Sequence, residues 1–417
     1  MPRVGVEPIV IAGSGMAGGV AARTLRQEGF AGPITIVGDE PGVPFGRPPL
    51  SKTYLRGVEE LSGWLVVPPD WYRANDVQLI RDSITRIDAD RSRVEFHQGA
   101  THYSKLLIAT GGRNRRPEFP GIDNEGLYQL RTVADSDAIK RAAQPAARAL
   151  IVGMGFIGCE VAASLRQLGL AVTAVFPGQF PLESVLGGEM GKTIAGIHSD
   201  AGVELIARER VDRIEGSGRV ERAVMKSGRS IDCDLVIVAV GIEPDTRLAQ
   251  GTGIAVDNGI LVDVSCRASA PDVFAAGDVA NHLHPLFGRV RVEHYNNAEK
   301  MGAAAARAML GSDAPYDYLH TFWSDQYEHK IEYVGHVRKW DQFIVRGSMR
   351  GRFIGFYLRD GVLKAAVGLN RGGDPELEPE SEMAMAGWLI ASQARPDPSA
   401  LADEGRDLAR LTHDQHR

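Results

Sequence analysis

Three glycines, Gly13, Gly15 and Gly18, follow the apolar run PIVIA with the spacing G-x-G-x-x-G. With this spacing the first glycine permits a tight turn, the second lets a pyrophosphate approach the backbone, and the third packs a helix against a strand. The amides and the dipole at the start of that helix attract phosphate. An acid about twenty residues further on binds ribose hydroxyls. Asp39 has this position, with Glu40 as the alternative, so the pattern predicts a dinucleotide site.

The same spacing returns at Gly153, Gly155 and Gly158, after the apolar run ALIV. Here the acid is missing, because the second strand runs into Phe176 to Gln179. No arginine or lysine stands in that stretch to bind a 2′-phosphate either. The repeat predicts a second dinucleotide site. The missing basic residue favours NADH over NADPH, without excluding NADPH.

The composition is that of an ordinary globular protein, with 44% hydrophobic and 24% charged residues in a chain of 417. The net charge of −6 gives no reason to expect nucleic acid or an anionic membrane as a partner. Cys159, Cys233 and Cys266 lie too far apart in sequence for a metal or redox pair. We therefore predict free thiols, no metal site and a cytoplasmic location. No apolar run is long enough to cross a bilayer.

Each glycine turn lies between apolar strands in a βαβ pattern, so the fold class is α/β with two Rossmann-like parallel-sheet domains. We assign residues 1–115 and 241–317 to the first nucleotide domain and residues 116–240 to the second. From 318 to 395, strand-like runs alternate with turns and end in the helical stretch SEMAMAGWLIAS. This pattern predicts an antiparallel α+β domain. The polar residues 396–417 are expected to form a loosely held tail.

Two further segments suggest what the nucleotide domains bind: ATGG at Ala109 to Gly112, and VFAAGDVA at Val273 to Ala280. In this order with the glycine turns, they resemble the flavoprotein superfamily that has two dinucleotide-binding domains. The resemblance implies a glutathione-reductase-like architecture, with FAD on the first domain and NADH on the second. It also implies that Asp278 hydrogen-bonds the ribityl chain of FAD. The alternative is that Asp278 caps a following helix.

A narrower resemblance is carried by RPPLSK at 47–52, GFIGCE at 155–160 and FWSDQY at 322–327. Together they are similar to the FAD-dependent ferredoxin reductases, the group of the putidaredoxin and ring-hydroxylating dioxygenase reductases. Apoptosis-inducing factor is a second match. Disulfide reductases of the superfamily carry a redox cysteine pair at about residues 43–52, and this stretch has no cysteine. A dithiol mechanism is therefore excluded.

The resemblance implies roles for four further side chains. Lys52 and Glu160 match a pair beside the reactive edge of the flavin, where an ammonium favours the reduced, anionic ring and the carboxylate orients it. The alternative for Glu160 is a first-turn acid that complements a helix dipole. Trp323 matches an aromatic residue near the ring, with a buried core tryptophan as the alternative. His294 matches a position that faces the cofactors, with a structural histidine as the alternative.

Other matched positions are predicted to contact FAD or the nicotinamide nucleotide. Two of them, Ile84 and Tyr295, fall where a backbone or apolar contact is made. The rest are Ala17, Arg47, Ala109, Thr110, Gly111, Arg131, Ile157, Gly241 and Gly277.

These matches imply an enzyme, an NADH:ferredoxin oxidoreductase. Hydride passes from NADH to FAD, and single electrons then pass to a ferredoxin-type iron–sulfur protein that serves an oxygenase. One alternative is a reductase of a small acceptor such as a quinone or monodehydroascorbate. Another is an NADH-sensing redox protein like apoptosis-inducing factor. The chain is expected to be a monomer or a homodimer.

Charged residues in the C-terminal half bear on the partner. The acidic stretch 371–382, RGGDPELEPESE, would repel an acidic ferredoxin near its docking face. A set of basic residues opposes this effect: Arg113, Arg115, Arg116, Arg338, Lys339, Arg346, Arg350 and Arg352. The two sets together leave the partner undecided.

Overall fold

The structure is a computed structural model that describes residues 7–412. The chain divides into two compact units, which we call unit 1 and unit 2. Unit 1 contains residues 7–47, 61–113 and 242–318. Unit 2 contains residues 48–60, 114–241 and 319–412. The predicted division into three domains with a tail stays a prediction, since unit 2 joins the second nucleotide fold to the C-terminal segment.

The helices and strands are numbered here in chain order. The α-helices are α1 (Met16–Gln27), α2 (Pro69–Ala74), α3 (Val133–Ala143), α4 (Phe156–Gln167), α5 (Glu183–Asp200, interrupted at Gly187), α6 (Tyr295–Met309), α7 (Glu382–Ala391) and α8 (Pro398–Ala402). The strands are β1 (Ile9–Ala12), β2 (Ile34–Gly38), β3 (Val77–Arg81), β4 (Ile84–Asp88), β5 (Arg93–Phe96), β6 (Gly99–His102), β7 (Lys105–Ile108), β8 (Gly112–Asn114), β9 (Leu127–Tyr128), β10 (Arg148–Val152), β11 (Ala171–Phe176), β12 (Val203–Ala207), β13 (Val211–Glu215), β14 (Arg222–Met225), β15 (Ser230–Asp232), β16 (Leu235–Val238), β17 (Ile242–Pro244), β18 (Ile260–Val262), β19 (Val273–Ala275), β20 (Ala280–His284), β21 (Gly288–Val290), β22 (Thr321–Gln326), β23 (His329–Gly335), β24 (Gln342–Ser348), β25 (Arg352–Arg359) and β26 (Val362–Leu369).

Unit 1 is built on a parallel sheet with the strand order β19-β7-β1-β2-β3. Its central strand β1 is buried along its whole length, as expected for a parallel strand covered on both faces. Helices α1 and α6 pack closely because Gly302 has no side chain: a β-carbon there would lie 2.4 Å from the carbonyl oxygen of Ala17. The antiparallel strands β4, β5 and β6 form a separate small sheet. The first predicted βαβ fold is confirmed.

Unit 2 repeats this plan with a second parallel sheet, in the order β12-β11-β10-β16-β9. Its central residues Leu150 on β10 and Val236 on β16 are fully buried in an apolar core. The antiparallel sheet β13-β14-β15 completes that core through Ala223 and Met225. The second predicted βαβ fold is therefore also confirmed.

The C-terminal segment of unit 2 forms an antiparallel sheet, ordered β22-β23-β26-β25-β24, on which α7 packs. The predicted antiparallel sheet with one helix is confirmed. Among the residues described, no helix has the length and apolar character that a membrane span requires.

The prediction of a loosely held tail is wrong for residues 396–412. Helix α8 lies in this stretch, and Leu401 and Leu408 are buried. The buried guanidinium of Arg346 donates hydrogen bonds to backbone carbonyls here, including that of Arg406 at 2.8 Å. Apolar burial and this cation hold the segment, although its composition is polar. Residues 413–417 lie outside the described part.

Candidate functional site

The first glycine turn, directly after β1, has the geometry of a phosphate cradle. Gly13 has φ 129°, and a β-carbon there would lie 2.2 Å from the carbonyl oxygen of Ala109. A β-carbon on Gly18 would lie 2.1 Å from the carbonyl oxygen of Gly13. A β-carbon on Gly15, by contrast, would meet no atom within 4 Å. The outer glycines are therefore needed for chain packing, whereas the middle one borders open space that a pyrophosphate fits.

The start of α1 fits an anion as well. Gly15 is its N-cap, so no side chain caps the helix, and the first turn contains no acid. At the neighbouring strand, Asp39 is exposed directly after β2. The rival acid Glu40 is ion-paired with Arg47 at 2.5 Å. The amides of the helix start thus remain available to phosphate, and Asp39 is the more accessible ribose acid.

The ATGG segment and the AGD turn lie beside this cradle in unit 1. Backbone groups of Asp245 fix Thr110 and Gly111. The hydroxyl of Thr110 donates to the carbonyl oxygen of Asp245 at 2.7 Å, and the amide of Asp245 donates to the carbonyl oxygen of Gly111 at 2.9 Å. Gly277 has φ 79° and lets the AGD turn approach Ala17. A β-carbon added to Gly277 would lie 3.2 Å from the β-carbon of Ala17. Asp278 is half-buried in a 3₁₀ turn that leads into β20. The alternative that it caps a following α-helix is wrong.

Three other positions predicted to contact or face a cofactor are found in unit 1. Tyr295 is the first residue of α6 and packs edge-on against Trp64, with ring centroids 6.0 Å apart. Burial raises the pKa of Tyr295. His294 is the N-cap residue of the same helix but makes no capping hydrogen bond. Ile84 begins β4, which belongs to the small antiparallel sheet and not to the parallel one.

The second glycine turn, after β10, matches the first in detail. A β-carbon on Gly153 would lie 2.4 Å from the carbonyl oxygen of Ala239, and one on Gly158 would lie 2.1 Å from that of Gly153. A β-carbon on Gly155 would meet nothing within 4 Å. Helix α4 begins without a side-chain cap and without an acid in its first turn. Unit 2 therefore carries its own open cradle.

Two other positions predicted to contact a cofactor, Ile157 and Gly241, are found in unit 2. Ile157 lies in the first turn of α4 and is 44% exposed, an unusual value for an isoleucine. Gly241, just after β16, has φ 93°, a conformation that favours glycine.

At the end of β11, the expectation that no basic residue is present is wrong. Phe176 is buried where a ribose acid was sought, but a basic residue is present. Arg208, directly after β12, donates from its guanidinium to the side-chain oxygen of Gln179 at 2.8 Å. Glu183 also reaches this loop, where it accepts hydrogen bonds from the amides of Gln179 and Phe180. Arg208 could not be identified from the sequence, because the pairing of β12 with β11 brings it to this loop.

The pair Lys52 and Glu160 lies within unit 2 and is almost completely buried. Their Nζ and Oε1 atoms are 3.1 Å apart, and the residues are 8% and 4% exposed. Ser51 donates to Oε2 of Glu160 at 2.5 Å, and Ser324 donates to Oε1 at 2.7 Å. The alternative of a first-turn dipole acid is wrong, since Glu160 lies beyond the first turn of α4. Three partners fix this carboxylate.

The hydrogen bonds continue from Ser324 to a buried histidine. Nε2 of Gln326 donates to Oγ of Ser324 at 3.3 Å, and Oε1 of Gln326 lies 3.0 Å from Nε2 of His198. The hydroxyl of Tyr327 lies 3.3 Å from Nδ1 of the same ring. Burial lowers the pKa of His198 to about 4. We call these residues, with Ser51, Lys52 and Glu160, the buried polar network.

Sequence reasoning singled out only Lys52 and Glu160 in the buried polar network. The missed signal is the alternation in FWSDQ: Phe322, Ser324 and Gln326 are buried on one face of β22. Trp323 lies on the other face and is half-buried, so the alternative of a buried core tryptophan is wrong. Arg131, the remaining predicted contact in unit 2, donates its amide to Asp135 in the cap of α3.

The three cysteines are free and buried. Burial raises the pKa of the Cys159 thiol, and it raises the pKa values of Cys233 and Cys266 to about 12. These thiols are protonated at neutral pH, which makes them poor nucleophiles. In residues 7–412, no cluster of histidine, cysteine, aspartate and glutamate has a metal-binding arrangement.

The acidic C-terminal stretch is partly neutralised within unit 2. Glu382 accepts hydrogen bonds from Arg346 and Arg371, each at 2.7 Å, and Arg371 also pairs with Glu404. Arg346 is only 4% exposed, so it cannot belong to a basic docking surface. Because the two residues are paired with each other, Glu382 is not expected to repel an acidic ferredoxin, and Arg346 is not expected to attract one.

Comparison with known proteins agrees with this geometry. Residues 7–302 match the family model described as pyridine nucleotide-disulphide oxidoreductase, and residues 321–412 match the one described as reductase C-terminal. The chain belongs to the pyridine nucleotide-disulphide oxidoreductase family. The predicted α/β architecture with two dinucleotide folds and a C-terminal α+β segment is confirmed.

Three individual proteins similar to this chain are all reductases by name. The biphenyl dioxygenase system ferredoxin–NAD(+) reductase component of Paraburkholderia xenovorans is 35% identical, over 97% of this chain and 98% of the relative. A ferredoxin reductase from Rhodopseudomonas palustris has a TM-score of 0.91 at 31% identity, covering 97% of this chain and 99% of the other. The reductase of a covalent putidaredoxin reductase–putidaredoxin complex has a TM-score of 0.91 at 32% identity, covering 98% of both chains. The predicted resemblance to ferredoxin reductases is confirmed.

Proposed function

We propose that the protein is an FAD-dependent ferredoxin reductase that takes electrons from a nicotinamide dinucleotide and delivers them to a ferredoxin-type iron–sulfur protein. That partner serves an oxygenase. The relatives named above carry this activity in their names, and their likeness extends over nearly the whole chain.

FAD fits the residues of unit 1. The open space at Gly15 and the uncapped start of α1 suit the pyrophosphate, and exposed Asp39 suits the ribose hydroxyls. Asp278, in the AGD turn, is the residue we assign to the ribityl chain. When bound, FAD supplies the conversion of a hydride, which carries two electrons, into single-electron steps. The chain supplies binding, orientation and local charge.

The nicotinamide dinucleotide fits the second cradle, in unit 2. Gly155 leaves the space for its pyrophosphate, and the amides at the start of α4 face no competing side chain. The two cradles are separate, so each nucleotide has a binding site of its own.

The observation that carries the proposal is the pair Lys52 and Glu160. Disulfide reductases of the superfamily have their redox cysteines at about the position of Lys52, whereas this chain has a buried ammonium held by a carboxylate. An ammonium favours an adjacent reduced, anionic ring, and Glu160 with Ser51 and Ser324 fixes where that ammonium lies. Electrons therefore leave without a protein dithiol, and direct transfer from the flavin to an iron–sulfur protein needs none.

Two alternatives predict different acceptors. A small-molecule reductase would turn over quinones or monodehydroascorbate without any protein partner. A redox sensor related to apoptosis-inducing factor would turn over slowly with every acceptor and would dimerise when reduced. The oligomeric state and a cytoplasmic location stay predictions.

The decisive experiment is an anaerobic titration of the purified yellow protein with NADH and NADPH, followed by cytochrome c reduction with added ferredoxins. We expect flavin bleaching by the dinucleotide and cytochrome c reduction that depends on a ferredoxin. Equal rates with quinone and without ferredoxin would favour the small-molecule reductase. A colourless protein that takes up no flavin on reconstitution would contradict the whole proposal.

A further inference from the structure

The end of β11 in unit 2 carries a cation where a ribose-binding acid is usual. In a Rossmann fold the adenosine ribose of the dinucleotide lies at this strand end. The amide of Arg208 donates to the carbonyl oxygen of Gly178 at 2.9 Å, which fixes the arginine backbone against the loop. Its guanidinium then reaches Gln179 at 2.8 Å. Arg208 is exposed, so its remaining donors are accessible to a ligand.

The carboxylates near this loop have hydrogen-bond partners other than Arg208. One oxygen of Glu183 accepts from the amides of Gln179 and Phe180, at 2.8 and 3.3 Å. A hydrogen bond from Ser227 lowers the pKa of Glu209, the residue after Arg208. Among residues 7–412, no ion pair of Arg208 is found, and its guanidinium is hydrogen-bonded to the neutral side chain of Gln179. The loop after β11 therefore carries a neutral amide, Gln179, that is hydrogen-bonded to a cation.

These side chains suit a phosphate better than a hydroxyl, because the guanidinium supplies a positive charge that only the phosphate complements. A carboxylate usually accepts from the 2′-hydroxyl of NADH, and the buried Phe176 takes the place where that carboxylate is expected. A 2′-phosphate needs donors and positive charge, which the planar guanidinium of Arg208 and the side-chain amide of Gln179 offer together.

We propose that the dinucleotide of unit 2 is NADPH, with its 2′-phosphate bound by Arg208 and Gln179. The inference rests on the proposed function, because it assigns the substrate of the second cradle. It reverses the preference for NADH that the sequence suggested. Gln179 would turn its amide group, so that Nε2 and the guanidinium donate to the same phosphate.

The test uses two probes that differ only in the group in question: adenosine 2′,5′-bisphosphate and adenosine 5′-monophosphate. Each is titrated calorimetrically into the FAD-loaded protein. We expect the bisphosphate to bind at least about tenfold more tightly, because it gains charge-assisted hydrogen bonds to Arg208. The advantage should shrink as salt rises, since Arg208 is exposed.

Two variants isolate the residues. Arg208→Gln should bring the two dissociation constants to within about twofold, while binding of the monophosphate is unchanged. Gln179→Glu should favour the monophosphate, because a carboxylate accepts from the 2′-hydroxyl and repels the 2′-phosphate. The control is Arg210→Gln, which removes an exposed arginine two residues away and should preserve the wild-type ratio.

Equal dissociation constants for the two probes in the wild type would overturn the inference. So would an unchanged ratio in Arg208→Gln. If neither probe binds, the second cradle is not a nucleotide site, and the proposed function fails with the inference. Binding of both probes with no preference leaves the proposed function intact, so the two failures are distinguishable.

Discussion

Oε1 of Gln326 lies 3.0 Å from Nε2 of the buried His198. Because Nε2 of Gln326 donates to Ser324, its oxygen must accept, and Nε2 of His198 must carry a proton. Burial lowers the pKa of His198 to about 4, so the ring is neutral at pH 7 and Nδ1 accepts from the hydroxyl of Tyr327. This neutral histidine lies at one end of the buried polar network, and the Lys52–Glu160 ion pair lies at the other.

The neutral state of His198 predicts a pH-dependent stability. The pKa is about 4 in the folded protein and about 6.5 in an unfolded chain. As the pH falls below about 6.5, His198 becomes protonated in the unfolded state but stays neutral in the folded state. The free energy of unfolding therefore decreases until about pH 4, where the folded protein is protonated as well. The loss amounts to at most about 3 kcal/mol. His198→Gln keeps a donor but cannot titrate, so its stability should fall less over this range.

The measurement is the urea midpoint at several pH values from 7.5 to 4, because the difference between variant and wild type cancels the other titrating groups. His97→Gln, at an exposed position, is the control and should follow the wild-type curve. Parallel curves for His198→Gln and the wild type would show that the pKa of His198 is the same in the folded and the unfolded protein.

Lys52→Met is expected to slow flavin reduction. The change removes the ammonium that the family resemblance places beside the flavin, and it leaves Glu160 as a buried carboxylate without a counter-ion. We expect reduction by the nicotinamide dinucleotide to slow by about tenfold or more, which corresponds to about 1.4 kcal/mol of barrier, and the flavin midpoint potential to fall. Anaerobic stopped-flow and a potential titration measure the two effects.

Lys192→Met, at an exposed position on α5, is the matched control for loss of a lysine. It should reduce its flavin at the wild-type rate. If Lys52→Met retains FAD and shows the same rate and the same potential as this control, the assigned role of Lys52 is wrong.

The middle glycines give a prediction that separates the two nucleotides. The β-carbon of a valine at Gly15 or Gly155 meets no atom within 4 Å, and both positions have a negative φ that a side chain tolerates. The side chain would occupy the space proposed for a pyrophosphate. Gly15→Val should therefore yield a folded protein with little or no FAD. Gly155→Val should stay yellow but bind the nicotinamide dinucleotide at least about tenfold more weakly.

Each glycine variant is the control for the other, and absorbance at the flavin band together with dinucleotide titration distinguishes them. The opposite assignment of nucleotides would exchange the two results. A Gly155→Val protein with unchanged dinucleotide affinity would remove the second cradle from the mechanism.

The sequence predicted what local patterns encode and missed what packing brings together. The turns at Gly13 and Gly153 could be predicted from the sequence, because the glycine spacing alone produces the phosphate cradle within a few residues. Arg208 was not readable as a partner of Gln179, because pairing of β12 with β11 brings the two residues together from 29 positions apart. Ser324 and Ser51 were inside quoted motifs, yet their bonds to Glu160 span more than 100 residues.

Arg346 allows a last prediction about the C-terminal segment. Its guanidinium is buried and joins Glu382 to the carbonyl oxygens of Asp403 and Arg406. Arg346→Met should cost about 3–5 kcal/mol, because it removes these bonds and leaves Glu382 with Arg371 alone. Limited proteolysis should then cleave within residues 396–412, where the wild type resists. The control is Arg350→Met, which removes an exposed arginine from the same C-terminal segment. This variant should resist proteolysis as the wild type does. If Arg346→Met is cleaved no faster than this control, the apolar contacts of Leu401 and Leu408 hold the segment without the cation, and the buried arginine has another role.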